Sequence, residues 1–94
     1  MAFRVKSVID GNSFTVSPNW KWRDLKGNIV KINGYEAPIQ GQPGFQISKS
    51  KLTGLILGKE VVLKKPSKSM FGRIHCDVLV EGNNLTSYFS EYKV

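Results

Sequence analysis

The sequence predicts a small β-barrel carrying one helix, an α+β chain, on three observations. Short segments alternate apolar and polar residues with the period of two that marks half-buried strands. Gly, Asn and Asp pairs punctuate them at the spacing of turns between short strands. One stretch, from Pro43 to Leu57, carries helical periodicity instead.

The elements follow in order. "FRVKSVID" reads as a strand ending at the turn Asp10-Gly11-Asn12. "SFTVS" is a half-buried strand with Phe14 and Val16 on one side. Pro18 should bend it or sit at its edge, because proline has no N–H to give to a ladder. "NWKWRDL" stays extended to a turn expected at Lys26-Gly27-Asn28, and "IVKINGYE" returns to complete a meander. Pro43 suits the first helical position and Gly58 the position just past the end. Phe45, Leu52, Leu55 and Ile56 lie near one face, with Lys49 and Lys51 off it. Gly54 and the Ser and Thr content leave this helix dependent on packing rather than propensity. "KEVVLKK" and "RIHCDVLVEG" are two more strands. The second sets Ile74, Cys76, Val78 and Val80 on one face, with His75, Asp77 and Glu81 mostly on the other. "NNLTSYFSEY" starts a short C-terminal helix with Asn84 as N-cap. The order β-β-β-α-β-β is that of a five-stranded Greek-key barrel, the OB-fold, with the helix plugging one end.

Ninety-four residues make a single domain, 1–94, expected to bury about 60–65% of its unfolded surface. The single cysteine, Cys76, excludes an intrachain disulfide and a cysteine-based zinc site, and on the apolar face it reads as a small core residue. "MAFRVKSVID" has no apolar run of signal-peptide length and no segment reaches a membrane span, so a cytoplasmic protein without a membrane partner is expected. Fourteen Lys and Arg against seven Asp and Glu give a net charge of +7, which favours polyanions through counterion release. In "NWKWRD", Trp20 and Trp22 share one face and Lys21 and Arg23 the other, a pattern able to stack bases and meet phosphates. The competing readings are that at least one of these tryptophans packs on the barrel, and that the pair serves a protein contact. Lys59, Lys64, Lys65 and Lys68 gather around the fourth strand and its following loop, which in an OB-fold borders the usual ligand face.

Four stretches now line up in one order. "VIDGNSFTV" is similar to the V-x-DGDT-x-x-V of the staphylococcal (thermonuclease-like) nuclease family, and "VKINGYEAP" to its VRLxGIDAPE. "GQPGFQISKSKLTGLILGKEVVL" resembles its GQPxGxEAxxxLxxLLxGKxVxL, and "MFGRIHCDVLVEGNNL" its DxYGRxLAxVxVxGxNLN. Together they span residues 8 to 85, nearly the whole chain. The resemblance implies an OB barrel and a phosphodiesterase ancestry, with calcium on acidic side chains, a glutamate as general base and two arginines on the phosphate. Calcium wants hard, mostly anionic oxygens, and the base must reach the attacking water.

Carried over, the metal aspartate of DGDT falls on Asn12, while Asp10 keeps the first acid of that turn. The second metal aspartate falls on Glu36, one methylene longer, and the base falls on Ile39, which accepts no proton. Of the two clamping arginines, one is Lys31, which keeps charge without the bidentate fork, and the other is Arg73. The tyrosine of YGR falls on Phe71. Gln40 can orient a water but cannot take its proton. Losing a general base costs on the order of 10²–10⁴ in rate. Glu36 is either a residual metal ligand or a rim charge near Lys31, and Arg73 either a phosphate contact or a turn arginine; His75 reads as a surface residue. The chain also stops short of the family's further C-terminal helix, as one domain of a longer protein would, or as a barrel end covered by another copy or partner would.

The expectation is therefore a catalytically degenerate nuclease-like OB domain that needs no cofactor. It would bind DNA or RNA without sequence preference through Lys31, Arg73, Phe71, Trp20, Lys21, Trp22, Arg23, Lys64 and Lys65. The alternative is a Ca²⁺-dependent phosphodiesterase with residual catalytic positions Arg73, Lys31 and Glu36 and metal positions Glu36, Asn12 and Asp10. A third reading is a protein-interaction module.

Overall fold

The computed structural model describes residues 2–93. Strand β1 (Ala2–Asp10) turns into β2 (Ser13–Trp22), which returns as β3 (Leu25–Ile32). Helix α1 (Phe45–Ile56) follows, then β4 (Glu60–Met70), β5 (Arg73–Val80) and the two-residue β6 (Asn83–Asn84). Two 3₁₀ turns, Leu85–Tyr88 and Ser90–Tyr92, complete the order. The sheet runs β3-β2-β1-β4-β5-β6, and a parallel pairing of β3 with β5 closes the first five strands into a mixed barrel. This is the OB-like α+β barrel expected from the strand order. Closure leaves neither long edge of the five strands free to pair with another chain.

The period-two pattern is realised most plainly in β5. Ile74, Cys76, Val78 and Val80 point inward and are buried, while Arg73, His75, Asp77 and Leu79 alternate outward and are half-buried. Val5, Phe14, Val16, Val30, Ile32 and Val61 complete the interior. Helix α1 offers Ser48, Leu52 and Ile56 as its buried residues. It seats closely because residue 11 is glycine. A Cβ there would stand 2.7 Å from Cβ of Ala37 and 2.7 Å from Cβ and Oγ of Ser48.

Several expectations are corrected. The turn of the β2–β3 hairpin is Arg23-Asp24, not Lys26-Gly27-Asn28, since Trp22 pairs with Leu25 and Trp20 with Gly27. Gly27 lies inside β3, where a Cβ would come within 2.6 Å of the Gly72 carbonyl and 2.8 Å of the Trp20 ring. Close approach, not a turn, requires that glycine. Pro18 occupies a break in the β2–β3 register between Thr15 and Trp20, where no donor is needed. Helix α1 begins at Phe45 after Gly44 rather than at Pro43; Gly44 has a φ of 86°, in the left-handed region glycine tolerates. Lys64, Lys65 and Lys68 lie within β4 at a bulge, not in a loop after it. The C-terminal helix is 3₁₀ rather than α, capped as expected by Asn84, whose Oδ1 accepts from the Thr86 N–H at 2.9 Å. No helix among the described residues is long and apolar enough to cross a membrane.

Candidate functional site

The segment from Asn33 to Ala37 leaves β3 and is held in place by the C-terminal turns. The Phe89 ring stacks on that of Tyr35 at 4.6 Å between centroids and 4° between planes. Thr86 Oγ1 donates to the Asn33 carbonyl at 2.9 Å, and the Glu36 N–H donates to the Tyr92 carbonyl at 3.1 Å. The buried Tyr35 hydroxyl donates to the Gly11 carbonyl at 2.7 Å. Burial raises its pKa well above the usual phenol range, with Asp10 and Glu91 adding to the shift. This rim is therefore tied both to the C-terminal turns and to the β1–β2 turn.

The three positions considered for a metal are used within that rim. Asp10 is buried and its Oδ1 accepts from the Asn12 backbone N–H at 3.0 Å, fixing the β1–β2 turn. Asn12 is also buried, and its Nδ2 donates to the Tyr35 carbonyl at 3.2 Å. Glu36 is exposed and pairs with Lys31 at 3.4 Å. Calcium requires about 6–8 oxygen ligands, with carboxylates carrying much of the affinity. A buried turn acceptor, an amide donating to a carbonyl and one carboxylate already facing a lysine do not fit that ion. Among the described residues, no group of three or more His, Cys, Asp or Glu lies close enough to hold a metal. Ile39 is 56% exposed, and its N–H donates to Gln42 Oε1 at 3.0 Å, so that position supplies only an apolar surface.

A different arrangement occupies the outer wall of β3, β4 and β5. Lys31 of β3 aligns with His75 of β5 in the parallel pair, and Lys68 of β4 lies opposite His75 in the antiparallel pair. Residues opposite one another across strands share a face, with Cβ atoms about 4.5–5.5 Å apart in antiparallel pairs. Lysine, histidine and lysine thus form one rung across three strands. Arg73, two residues earlier on β5, projects from the same face. Lys31, Met70, Phe71, Arg73 and His75 line a cleft of about 270 Å³. Lys31 has Glu36 as its partner; among the described residues, neither Lys68 nor Arg73 has a carboxylate within ion-pair distance.

Phe71 stands at the mouth of this cleft. It is 95% exposed and has a φ of 56°, in the turn Phe71-Gly72 between β4 and β5. Two-residue hairpin turns of this kind favour Asn-Gly or Asp-Gly, because a left-handed residue with a bulky side chain costs about 1–2 kcal/mol. An exposed phenylalanine therefore brings no burial to offset that cost within the domain.

The other sequence-predicted residues lie elsewhere. Trp20 is buried in the core, where its Nε1–H donates to the Ile29 carbonyl at 2.8 Å, so it is removed from the set available to stack bases. Trp22 is half-buried, and Arg23 lies over its ring at 4.7 Å rather than sharing a face with Lys21. Lys21 and Trp22 line a separate cleft of about 480 Å³, walled by Phe3, Pro18, Trp20, Leu63, Pro66 and the inward face of β5. Lys64 and Lys65 are exposed on β4 but do not line the cationic cleft. Burial pushes the Cys76 thiol up to about 12, in keeping with a core residue. Sequence reasoning set Lys68 near the usual ligand face and His75 at the surface, but did not join either to Lys31. The available signal was that His75 alternates outward on a strand beginning with Arg73. No protein-family model matches this chain, nor does any curated protein.

Proposed function

We propose that this domain binds the phosphodiester backbone of single-stranded nucleic acid on its β3–β4–β5 wall, without cleaving it. The observation that carries the reading is that Lys31 and Arg73 line one cleft with the exposed Phe71 at its lip, while Lys68 stands beside it as the cross-strand partner of His75. Cations tracking a backbone beside an aromatic that stacks on bases are the two parts such a surface needs, and stacking contributes about 1–3 kcal/mol per base. The net charge of +7 acts in the same direction at long range. The resemblance to thermonuclease-like nucleases supports this location, since its two phosphate positions fall on Lys31 and Arg73. It equally argues against hydrolysis: Ile39 stands where that family has its base, Asp10 is committed to the β1–β2 turn, and the Asn12 amide is committed to the Tyr35 carbonyl.

Fluorescence anisotropy with labelled single strands of about 12 nucleotides, DNA and RNA in parallel, tests the reading. Three phosphate contacts predict that log K falls with log salt with a slope of about −2. Binding that is undetectable at low salt, or independent of salt, would overturn it in favour of a protein-contact surface. Ca²⁺-dependent cleavage products that vanish in Arg73→Ala would overturn the non-catalytic part alone.

A further inference from the structure

We infer that His75 is a proton-accepting ligand contact of the cationic cleft: a phosphate group seated between Lys31 and Lys68 binds together with a proton on the His75 imidazole. The inference rests on the phosphate-binding reading above and adds a residue and a pH dependence to it. His75 is the central residue of the three-strand rung and part of the cleft lining. Charged groups meet it from every side. Lys31 comes from β3, Lys68 from β4, Arg73 from its own strand and Glu36 from the segment after β3. Asp77 lies two residues further along β5, opposite Lys64.

In the free protein this surrounding opposes a further positive charge. Burial, then Lys68, Lys31 and Arg73, hold the His75 pKa below the usual imidazole range, with Glu36 a partial offset. The unfolded chain takes up this proton near pH 6.5 while the folded protein resists it. Stability therefore falls as pH drops from about 6.5 through the folded midpoint. An anion in the cleft reverses the balance, because it neutralises the lysines and accepts a hydrogen bond from the protonated ring. The proton comes from solvent onto a ring nitrogen lone pair, and no bond of the ligand breaks. Linkage is reciprocal: a ligand that raises the proton affinity of His75 binds more tightly where protons are available. An imidazole that resists protonation amid three cations is thus a place kept for negative charge.

His75 is the only histidine, so its Hε1 proton gives one titrating NMR signal. That signal is followed from about pH 5 to 8, around the ordinary imidazole midpoint, in the free protein, with oligothymidylate and with inorganic pyrophosphate. The expected result is a free midpoint below the ordinary value that rises by about one unit on saturation, matched by about tenfold tighter binding at acid pH. An oligonucleotide shift without a pyrophosphate shift assigns the site to the nucleic-acid backbone; both together assign it to phosphate generally. His75→Gln should leave oligothymidylate binding flat across the same range, since a phosphodiester does not titrate there. A midpoint that stays fixed while the Lys31 and Arg73 amides move to saturation overturns the role of His75 and leaves the binding reading standing. If no resonance moves with either ligand at low salt, the binding reading fails and takes the inference with it.

Discussion

Strand β3 has a different neighbour on each side. Toward β2 and the C-terminal turns lie Asp10, Asn12 and Glu36; toward β5 and β4 lie His75, Arg73 and Lys68. On the first side the polar groups are committed to the fold or to one another: a carboxylate caps a turn, an amide holds a loop carbonyl and Glu36 faces Lys31. On the second side, among the described residues, Lys68 and Arg73 have no carboxylate within ion-pair distance, and Glu36 offsets the cations around His75 only in part. The contrast teaches that positions with the right identity for a site can be occupied by structural duties. Charges that the fold does not use are the better guide to a ligand.

Five substitutions, one of them used only in a pair, test that contrast from the largest effect to the smallest. Phe89→Ala removes the ring stacked on Tyr35 and should cost about 3–5 kcal/mol in urea unfolding. Oligonucleotide affinity of the folded protein should be unchanged, because the loss falls on the rim and not on the wall. If affinity falls in parallel with stability, the two sides are coupled and the division fails.

Asn12→Asp replaces the donor to the Tyr35 carbonyl with an acceptor in a buried place. It should cost about 1–3 kcal/mol. Pairing it with Ile39→Glu should yield no Ca²⁺-dependent cleavage; a rescued nuclease would show that the rim still holds a metal-binding geometry.

Arg73→Ala acts on the other side. It should weaken oligonucleotide binding about tenfold and flatten the salt slope by about 0.7, while leaving the urea midpoint nearly unchanged. A large stability loss without a binding loss would make Arg73 a structural residue. Glu36→Gln releases Lys31 from its exposed partner. Surface pairs contribute about 0–1 kcal/mol, so stability should barely move and affinity should rise about twofold. A loss of affinity would instead assign Glu36 a positive role in the site.

Much of the fold was legible because its pattern is local. The inward residues of β5, the Asn84 cap and the Gly58 end of α1 each depend on near neighbours in the chain. The β2–β3 turn was misplaced because Lys26-Gly27-Asn28 carries a turn signal, yet Gly27 exists to let the Gly72 carbonyl and the Trp20 ring approach. That contact joins residues 45 positions apart (72 − 27), and no window on the sequence contains it. Trp20 and Trp22 look alike as an alternating pair, but the barrel end admits the first and leaves the second half-covered.

The sequence by itself determined a basic chain and the strand and helix order of a five-stranded barrel, while Lys31 and Arg73 are phosphate candidates only through the resemblance to the thermonuclease-like motifs. Those properties reside in composition, periodicity and short motifs. Tertiary structure alone decided that Lys31, His75 and Lys68 form one rung, because parallel closure of β3 onto β5 and the register of β4 bring together three distant residues. It alone decided that the Asn12 amide serves the fold, because its partner, the Tyr35 carbonyl, lies 23 residues away, whereas the Asp10 bond to the Asn12 N–H is local to its turn. Charge is written in the chain; which charges remain free for a ligand is settled only when the barrel closes.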